Sequence, residues 1–462
     1  RFVISGNQPK PEEYTSYPEF IFFDYQKLDN LTTDQWNKVA LLSLSFPQYS
    51  KWNGKGGLTE EDLPKVTEVI KKAKSFGKPF RFWAIPDGKT SWEFFAHNGV
   101  DFINTDHPKE CVGYINSLEK RTFKNNLFSE VYQPKFSYLN KNVPVKNVIL
   151  LIGDGNGLSQ ISSSVLANKG QLTLTQLKNI GLIKTSSTDN FTTDSAAGAT
   201  AFATGKKTKN RFIGVSSEGQ KTANLTEILS EKGFSTGIIT TDEIVGATPS
   251  AFYAHQKDRG MEKEIAEDLP KSKLNFFAAG GKSKVSGLHD FKLAENPKEV
   301  AESKANRLAY YLSDNGVPQV LKGRGNLLAE TVESGLQFLK SKKKPFFIMI
   351  EAAQIDSGGH SNNVGTIVTE GIDFDRVITK AVQFADQNPG TLVIITADHE
   401  TGGFSIPHGD LETSTIEGDF TTDDHSATLI PVFSYGSGSE IFTGVYENNE
   451  IFHKILKALK VN

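Results

Sequence analysis

Cysteine is almost missing from this chain of 462 residues: Cys111 stands alone, which excludes an internal disulfide and a zinc cage of four thiolates. Any zinc must be held through nitrogen and oxygen. The scarcity leaves the compartment open, because cytosolic and many secreted proteins alike use little cysteine. Excess charge is also lacking. The net charge is -3 and the longest basic run is the three residues Lys342-Lys-Lys344, so there is no basic field for nucleic acid. No apolar run approaches the ~20 residues that span a bilayer. No signal peptide precedes Arg1 and no initiator methionine is present, so a processed or trimmed form is expected. Internal repeats and low-complexity tracts are absent. Tryptophan stops at Trp92, after Trp36, Trp52 and Trp83, and two separate cores are the simplest reading. At 37% hydrophobic residues the chain can bury large cores, and its length suggests two or three domains.

In residues 1–118, Phe20-Ile-Phe-Phe23, Leu41-Leu-Ser-Leu-Ser45, Phe80-Arg-Phe-Trp-Ala84 and Asp101-Phe-Ile-Asn104 read as strands alternating with helices. The clearest helix starts at a Thr59 cap, with Asp62 three residues on. It runs through Val66, Val69, Ile70 and Ala73 to a stop at Gly77 and Pro79. Repeated βα units imply a parallel sheet or part of a barrel. Residues 119–143, with Lys120-Arg121, Lys124-Asn-Asn126 and Pro134, lack either periodicity and read as a linker. From 144 to 462 the strands are expected at Val148–Ile152, Gly181–Thr185, Gly237–Thr240, Pro345–Ile350, Leu392–Thr396 and Leu429–Phe433. These near-continuous apolar runs suit strands buried on both faces of a doubly wound, three-layer α/β sheet. Helical patterns near 222–232, 325–341 and 365–386 supply the covering layers.

Ligands of such sheets gather beyond the carboxyl ends of the strands. Asp154, Glu351 and the pair Asp398-His399 each follow an apolar run directly. One acid there equally caps the next helix, but three together point to a cation. Asp356 and His360 lie four apart within Ile355-Asp-Ser-Gly-Gly-His360, which puts both on one face of a helix or tight turn. His425, in Asp423-Asp-His-Ser426, adds an imidazole before the last apolar strand. Thr193-Asp194-Ser195 precedes a run of small residues that reads as a helix start, where backbone N–H groups can meet an anion or the three residues can simply cap the helix. Serine alone is a poor nucleophile, and no Ser-His-Asp spacing or nucleophile elbow is present, so activation falls to a metal. Arg259 offers a planar fork for phosphate oxygens, or an ordinary surface arginine.

At these residues the chain closely resembles the alkaline phosphatases. The resemblance rests on Ile152-Gly-Asp-Gly155, Thr193-Asp-Ser-Ala-Ala197, Ala247-Thr-Pro-Ser-Ala251, Ala254-His255 with Arg259, Glu351 to His360, Thr396-Ala-Asp-His399 and Asp424-His-Ser426, in the family's order over 144–462. It implies one zinc on Asp356, His360 and His425, and a second on Asp154, Asp398, His399 and the Ser195 oxygen. It implies magnesium on Asp154, Thr248 and Glu351, phosphorylation of Ser195, and an Arg259 oriented by Asp194. The implied activity is hydrolysis of phosphate monoesters, in a periplasmic or secreted protein that is a monomer or homodimer. Two departures stand out. Gly246 occupies a position where many bacterial relatives carry an acid beside the magnesium. The stretch from His399 to His425 is too short for the crown insertion that helps many relatives dimerise. Ser357 occupies a position that varies in the family and tunes phosphate affinity.

Arg81-Phe-Trp-Ala-Ile-Pro-Asp87 and Gly99-Val-Asp-Phe-Ile-Asn-Thr-Asp106 look like the last strands of a glycerophosphodiesterase or phosphoinositide phospholipase-like barrel. The catalytic motifs of that barrel belong to earlier strands, so a structural remnant or the tail of a longer protein is expected. Alternatives for the whole chain are a phosphodiesterase of the same superfamily and a catalytically inactive phosphate-binding scaffold. A sulfatase is disfavoured because Ser195-Ala-Ala197 lacks the C/S-x-P-x-R stretch.

Overall fold

The structure, a computed structural model, describes residues 1–138, 141 and 143–461. The chain divides into two compact units, Arg1–Glu119 and Lys120–Asn462.

The first unit is built on four parallel strands in sequential order, β1 (Phe2–Ile4), β2 (Ile21–Tyr25), β3 (Val39–Ser45) and β4 (Phe80–Trp83). The sheet is open, with β1 and β4 as its edges, so the barrel reading is met only in its βα repeats and parallel pairing. Asp101–Asn104 is not a strand. The Asp101 carboxylate instead accepts from the Phe80 N–H at 2.9 Å and fixes the start of β4. The helix Asp62–Ser75 begins where the Thr59 hydroxyl accepts from the Asp62 N–H at 3.2 Å, buries Val66, Ile70 and Ala73, and stops before Gly77 at φ +67. Phe46 packs edge-on against Phe82, Phe95 and Trp52, and each such buried aromatic contributes ~1.5–3 kcal/mol.

Only the first of the expected linker's described residues lie in regular elements. The helix Pro108–Arg121 covers its start, and β5 (Thr122–Lys124) follows. Ser129 N–H donates to Asn168 at 2.9 Å, and Phe136 N–H to the Tyr435 hydroxyl at 2.9 Å. Positions 139, 140 and 142 of that stretch lie outside the described residues. These ties run through hydrogen bonds rather than an apolar period, which is why periodicity misses them.

The second unit carries a ten-stranded sheet made of β6 (Asn147–Gly153), β7 (Asn179–Lys184), β8 (Ser235–Glu243), β9 (Phe276–Gly280), β10 (Lys292–Ala294), β11 (Leu308–Tyr311), β12 (Phe346–Ala352), β13 (Thr391–Thr396), β18 (Ile430–Gly436) and β19 (Gly444–Glu447). Their order is β10-β11-β9-β8-β12-β6-β13-β18-β7-β19, parallel except where β18 meets β13 and β7. Between β13 and β18 lie β14 (Glu400–Thr401), β15 (Phe404–Asp410), β16 (Thr415–Phe420) and β17 (His425–Ser426); β15, β16 and β5 make a small sheet. Alternate residues of the central strands enter opposite cores. Val148, Leu150 and Ile152 go to one face, and Ile149 and Leu151 to the other. Helices Leu327–Ser341 and Val364–Gln387 cover the second face, so the sheet is the middle of three layers.

Pairing register sets the functional edge. Thr240, Glu351, Ile152 and Thr396 lie side by side across β8, β12, β6 and β13. The residues just past that row emerge together at one end of the sheet.

Candidate active site

Six of the acidic and histidine side chains singled out above converge at that end in two clusters. Asp154, Asp398 and His399 form one, fully buried; Asp356, His360 and His425 form the other, partly open to solvent. Within each cluster the potential ligand atoms lie within 4.8 Å of one another. The rings of His399 and His425 stack at 3.5 Å and join the clusters. Glu351 at the end of β12 and Thr248 at the start of the short helix Ala247–Ala251 are both buried close by.

Backbone punctuation places these groups. Asp154 leaves β6 into a turn whose Gly155 has φ +70. A Cβ there would stand 2.8 Å from the Asp356 Cα, so only glycine lets the segments meet. Asp356 and His360 share one face of the helix Gln354–His360, with Asp356 Oδ2 3.3 Å from His360 Nε2. Asp194 caps the wholly buried helix Ser195–Thr204, accepting from the Ala197 N–H at 3.0 Å. Ser195 therefore opens that helix, its Oγ 3.2 Å from His399 Nε2. Arg259 Nη1 donates to Asp194 Oδ2 at 3.3 Å.

Hydrogen bonds fix the tautomers of all three imidazoles. Nδ1 of His360 lies 2.6 Å from the Asp423 carbonyl, and Nδ1 of His425 lies 2.9 Å from the Thr193 carbonyl. The Thr401 hydroxyl donates to Asp356 Oδ1 at 2.5 Å and is left to accept from His399 Nδ1 at 3.2 Å. Each ring thus spends an Nδ1 proton outward and turns Nε2 inward, toward Ser195 from His399 and toward Asp356 from His360. The Nε2 atoms of His360 and His425 face each other at 3.2 Å, an arrangement that needs a proton or a cation between them.

Buried oxygens tell the same story. Asp154 Oδ1, Asp398 Oδ2 and Thr248 Oγ1 have no hydrogen-bond partner, although buried polar atoms are normally satisfied. Burial, with the neighbouring acids, pushes Asp154 well above the usual carboxylate range and Asp398 up to about 6. Burial also raises Glu351 to about 8, helped by the charge of Asp242. The hydrogen bond to Asp356 lifts His360 to about 9, whereas burial drives His399 well below the ordinary imidazole value. Protons collect where positive charge is wanted, and the nitrogen and oxygen donors fit divalent cations.

Sequence reading missed several members. Thr401 bridges Asp356 and His399. Glu400 accepts from Gln160 and from the N–H groups of Gly403 and Phe404, pinning the turn after His399. Arg211 grips Asp258 with Nε and Nη2, both at 2.8 Å, while its N–H donates to Asp194. Only Asp242 gave a readable signal, since it closely follows the apolar run of β8.

The model of the Alkaline phosphatase family matches residues 145–283 and 289–417, more than half of the chain. Alkaline phosphatase 3 of Bacillus subtilis is 28% identical over 421 residues, covering 69% of this chain and 90% of that protein. Streptomycin-6-phosphate phosphatase of Streptomyces griseus is 25% identical over 68% of this chain and 91% of its own length. The solved alkaline phosphatase from the Antarctic bacterium TAB5 is 45% identical with a TM-score of 0.66, covering 69% of this chain and 99% of that one. A mutant of it, 44% identical at the same TM-score and coverage, is described with Mg bound in the M3 site. Fold and relatives together define a hydrolase of phosphate esters. The chain belongs to the alkaline phosphatase family.

Proposed function

We propose that this protein hydrolyses phosphate monoesters through a phosphorylated Ser195, with divalent cations bound. Asp356, His360 and His425 would hold one zinc, and Asp154, Asp398, His399 and the Ser195 oxygen a second. Asp154, Thr248 and Glu351 would hold magnesium. The observation that carries the reading is the position of Ser195 Oγ, at a buried helix start and 3.2 Å from the bare Nε2 of His399. Bound cations supply Lewis acidity, lowering the pKa of a coordinated hydroxyl and neutralising charge on phosphoryl oxygens.

The chain's own groups do the rest. Arg259 presents its guanidinium to two non-bridging oxygens, and Asp194 positions it while capping the helix that carries Ser195. Backbone N–H groups at the first turn of that helix face the same anion. Ser195 Oγ displaces the alcohol in line, and a water molecule then displaces Ser195 from phosphorus. Two inversions leave the configuration at phosphorus retained and the serine regenerated. The name of the Streptomyces griseus relative, Streptomycin-6-phosphate phosphatase, supports the substrate class. A periplasmic or secreted location and a monomer or homodimer remain the expectation drawn from the resemblance.

The test is hydrolysis of p-nitrophenyl phosphate beside its bis ester, together with elemental analysis. The monoester should be strongly preferred, Ser195→Ala should remove turnover, and zinc and magnesium should copurify. A preference for the bis ester, or full turnover by Ser195→Ala, refutes the reading.

A further inference from the structure

The third cation position is built differently from the pattern that Gly246 breaks. Gly246 has no side chain to offer, but the space its Cβ would fill is taken: Asp242 Oδ2 lies 1.8 Å from that point and Cγ 2.6 Å. The register explains why. Thr240 sits opposite Glu351 across β8 and β12, and Ile152 opposite Glu351 across β12 and β6. Asp242 and Asp154 are therefore each two residues past one common row, with Glu351 in the row between them. Strands roughly 4.8 Å apart bring these three carboxylates to one edge.

A group of acids alone is no site, and here a second observation points to a ligand. The Thr248 hydroxyl is buried, 1% exposed, and has no hydrogen-bond partner. It lies beside the Glu351 carboxyl, near enough to favour its charged form. The Asp242 carboxylate feels the charges of Arg259 and Lys284 without touching either. Oδ1 accepts from the Glu243 N–H at 2.7 Å, and among the described residues no cation pairs with the group. The nearby Lys284 is taken by Glu243 and Glu262 at 2.6 and 2.8 Å. Oxygen donors with no nitrogen or sulfur suit a small hard ion that keeps several waters.

We propose that Asp242 adds a carboxylate to the magnesium site of Asp154, Glu351 and Thr248, doing from the end of β8 what a side chain at 246 does elsewhere. This rests on the phosphatase reading above but goes beyond it, because it assigns a ligand to a residue outside the family's motifs.

Magnesium alone, titrated calorimetrically into the zinc-loaded protein, tests it. Asp242→Asn should weaken magnesium binding by about 10- to 100-fold while leaving the zinc content unchanged. Gly246→Asp alone should gain nothing, since the new carboxylate meets Asp242. The double variant Asp242→Gly with Gly246→Asp should recover most of the lost affinity. Unchanged magnesium affinity in Asp242→Asn overturns the proposal. Should that variant fail to fold, anomalous scattering from manganese in crystals of the unaltered protein decides. A peak ligated by Asp242, Glu351 and Thr248 supports the assignment, and one that Asp242 does not approach refutes it. Failure of the phosphatase reading would look different, because the parent protein would then prefer the bis ester, or Ser195→Ala would keep full turnover, whatever the magnesium affinity.

Discussion

Removing the cations should destabilise the second unit, and the effect should depend on pH in a direction the site dictates. Each occupied site stabilises the fold by RT ln(1 + [L]/Kd), about 2.7 kcal/mol when the ion is at about 100 times Kd, so two clusters contribute roughly 5 kcal/mol. A unit of about 340 residues (120–462) unfolds with an entropy near 0.7 kcal/mol/K at ~2.1 cal/mol/K per residue, which converts the loss to about 7 °C in Tm. Without cations, Glu351 titrates at about 8 and Asp398 at about 6, both above their unfolded values. A raised carboxylate pKa means the folded state holds the proton more tightly than the unfolded chain. The metal-free protein therefore loses stability as pH rises through 6 and on through 8. Calorimetric melting of chelated and zinc-loaded protein should show a gap of about 7 °C at pH 8 that shrinks toward pH 5.5, where protons stand in for the ions. Equal melting temperatures at pH 8, or a gap that widens toward acid, would refute the reasoning.

Arg259→Ala should lower kcat/KM for a monoester by about 10- to 100-fold, the value of losing charged hydrogen bonds of about 1.5–3 kcal/mol, and should weaken inhibition by inorganic phosphate in parallel. Steady-state kinetics with phosphate as competitor would show it. Arg324→Met should cost about 3–5 kcal/mol in urea unfolding, because Arg324 is the buried partner of both Glu370 and Asp373, and its loss leaves Asp373 only the more distant Arg376 at 4.0 Å. Glu227 sits at about 2: burial opposes its charge, but the hydrogen bond from His255 and the Asn224 N–H outweigh it. Its contribution is present above about pH 4.5 and lost as pH falls toward 2, so Glu227→Gln should melt lower at pH 6 and show a flatter profile below pH 4.5.

The parallel core strands were legible because each is a short apolar run closed by a polar residue, as at Val148–Ile152 before Asp154. The same rule exposed Glu351 and Asp398, and glycine-rich spacing exposed Asp356 and His360. Strands such as Phe276–Gly280 and Leu308–Tyr311 escaped because alanine, glycine and tyrosine dilute the apolar signal. Thr401 and Arg211 were invisible because their roles depend on tertiary hydrogen bonds to Asp356, His399 and Asp258, which no local pattern encodes. Asp242 was within reach of the strand-end rule. What hid it was Gly246, four residues on: only the folded chain shows Asp242 Oδ2 lying where a Cβ at 246 would stand.

The most direct test of the central claim is to quench the protein in acid during turnover of a phosphate monoester and map its peptides by mass spectrometry. A single phosphoryl group on Ser195, absent without substrate, is the result this account requires. Turnover with no phosphoryl group on the protein, or with the label on another residue, would contradict it.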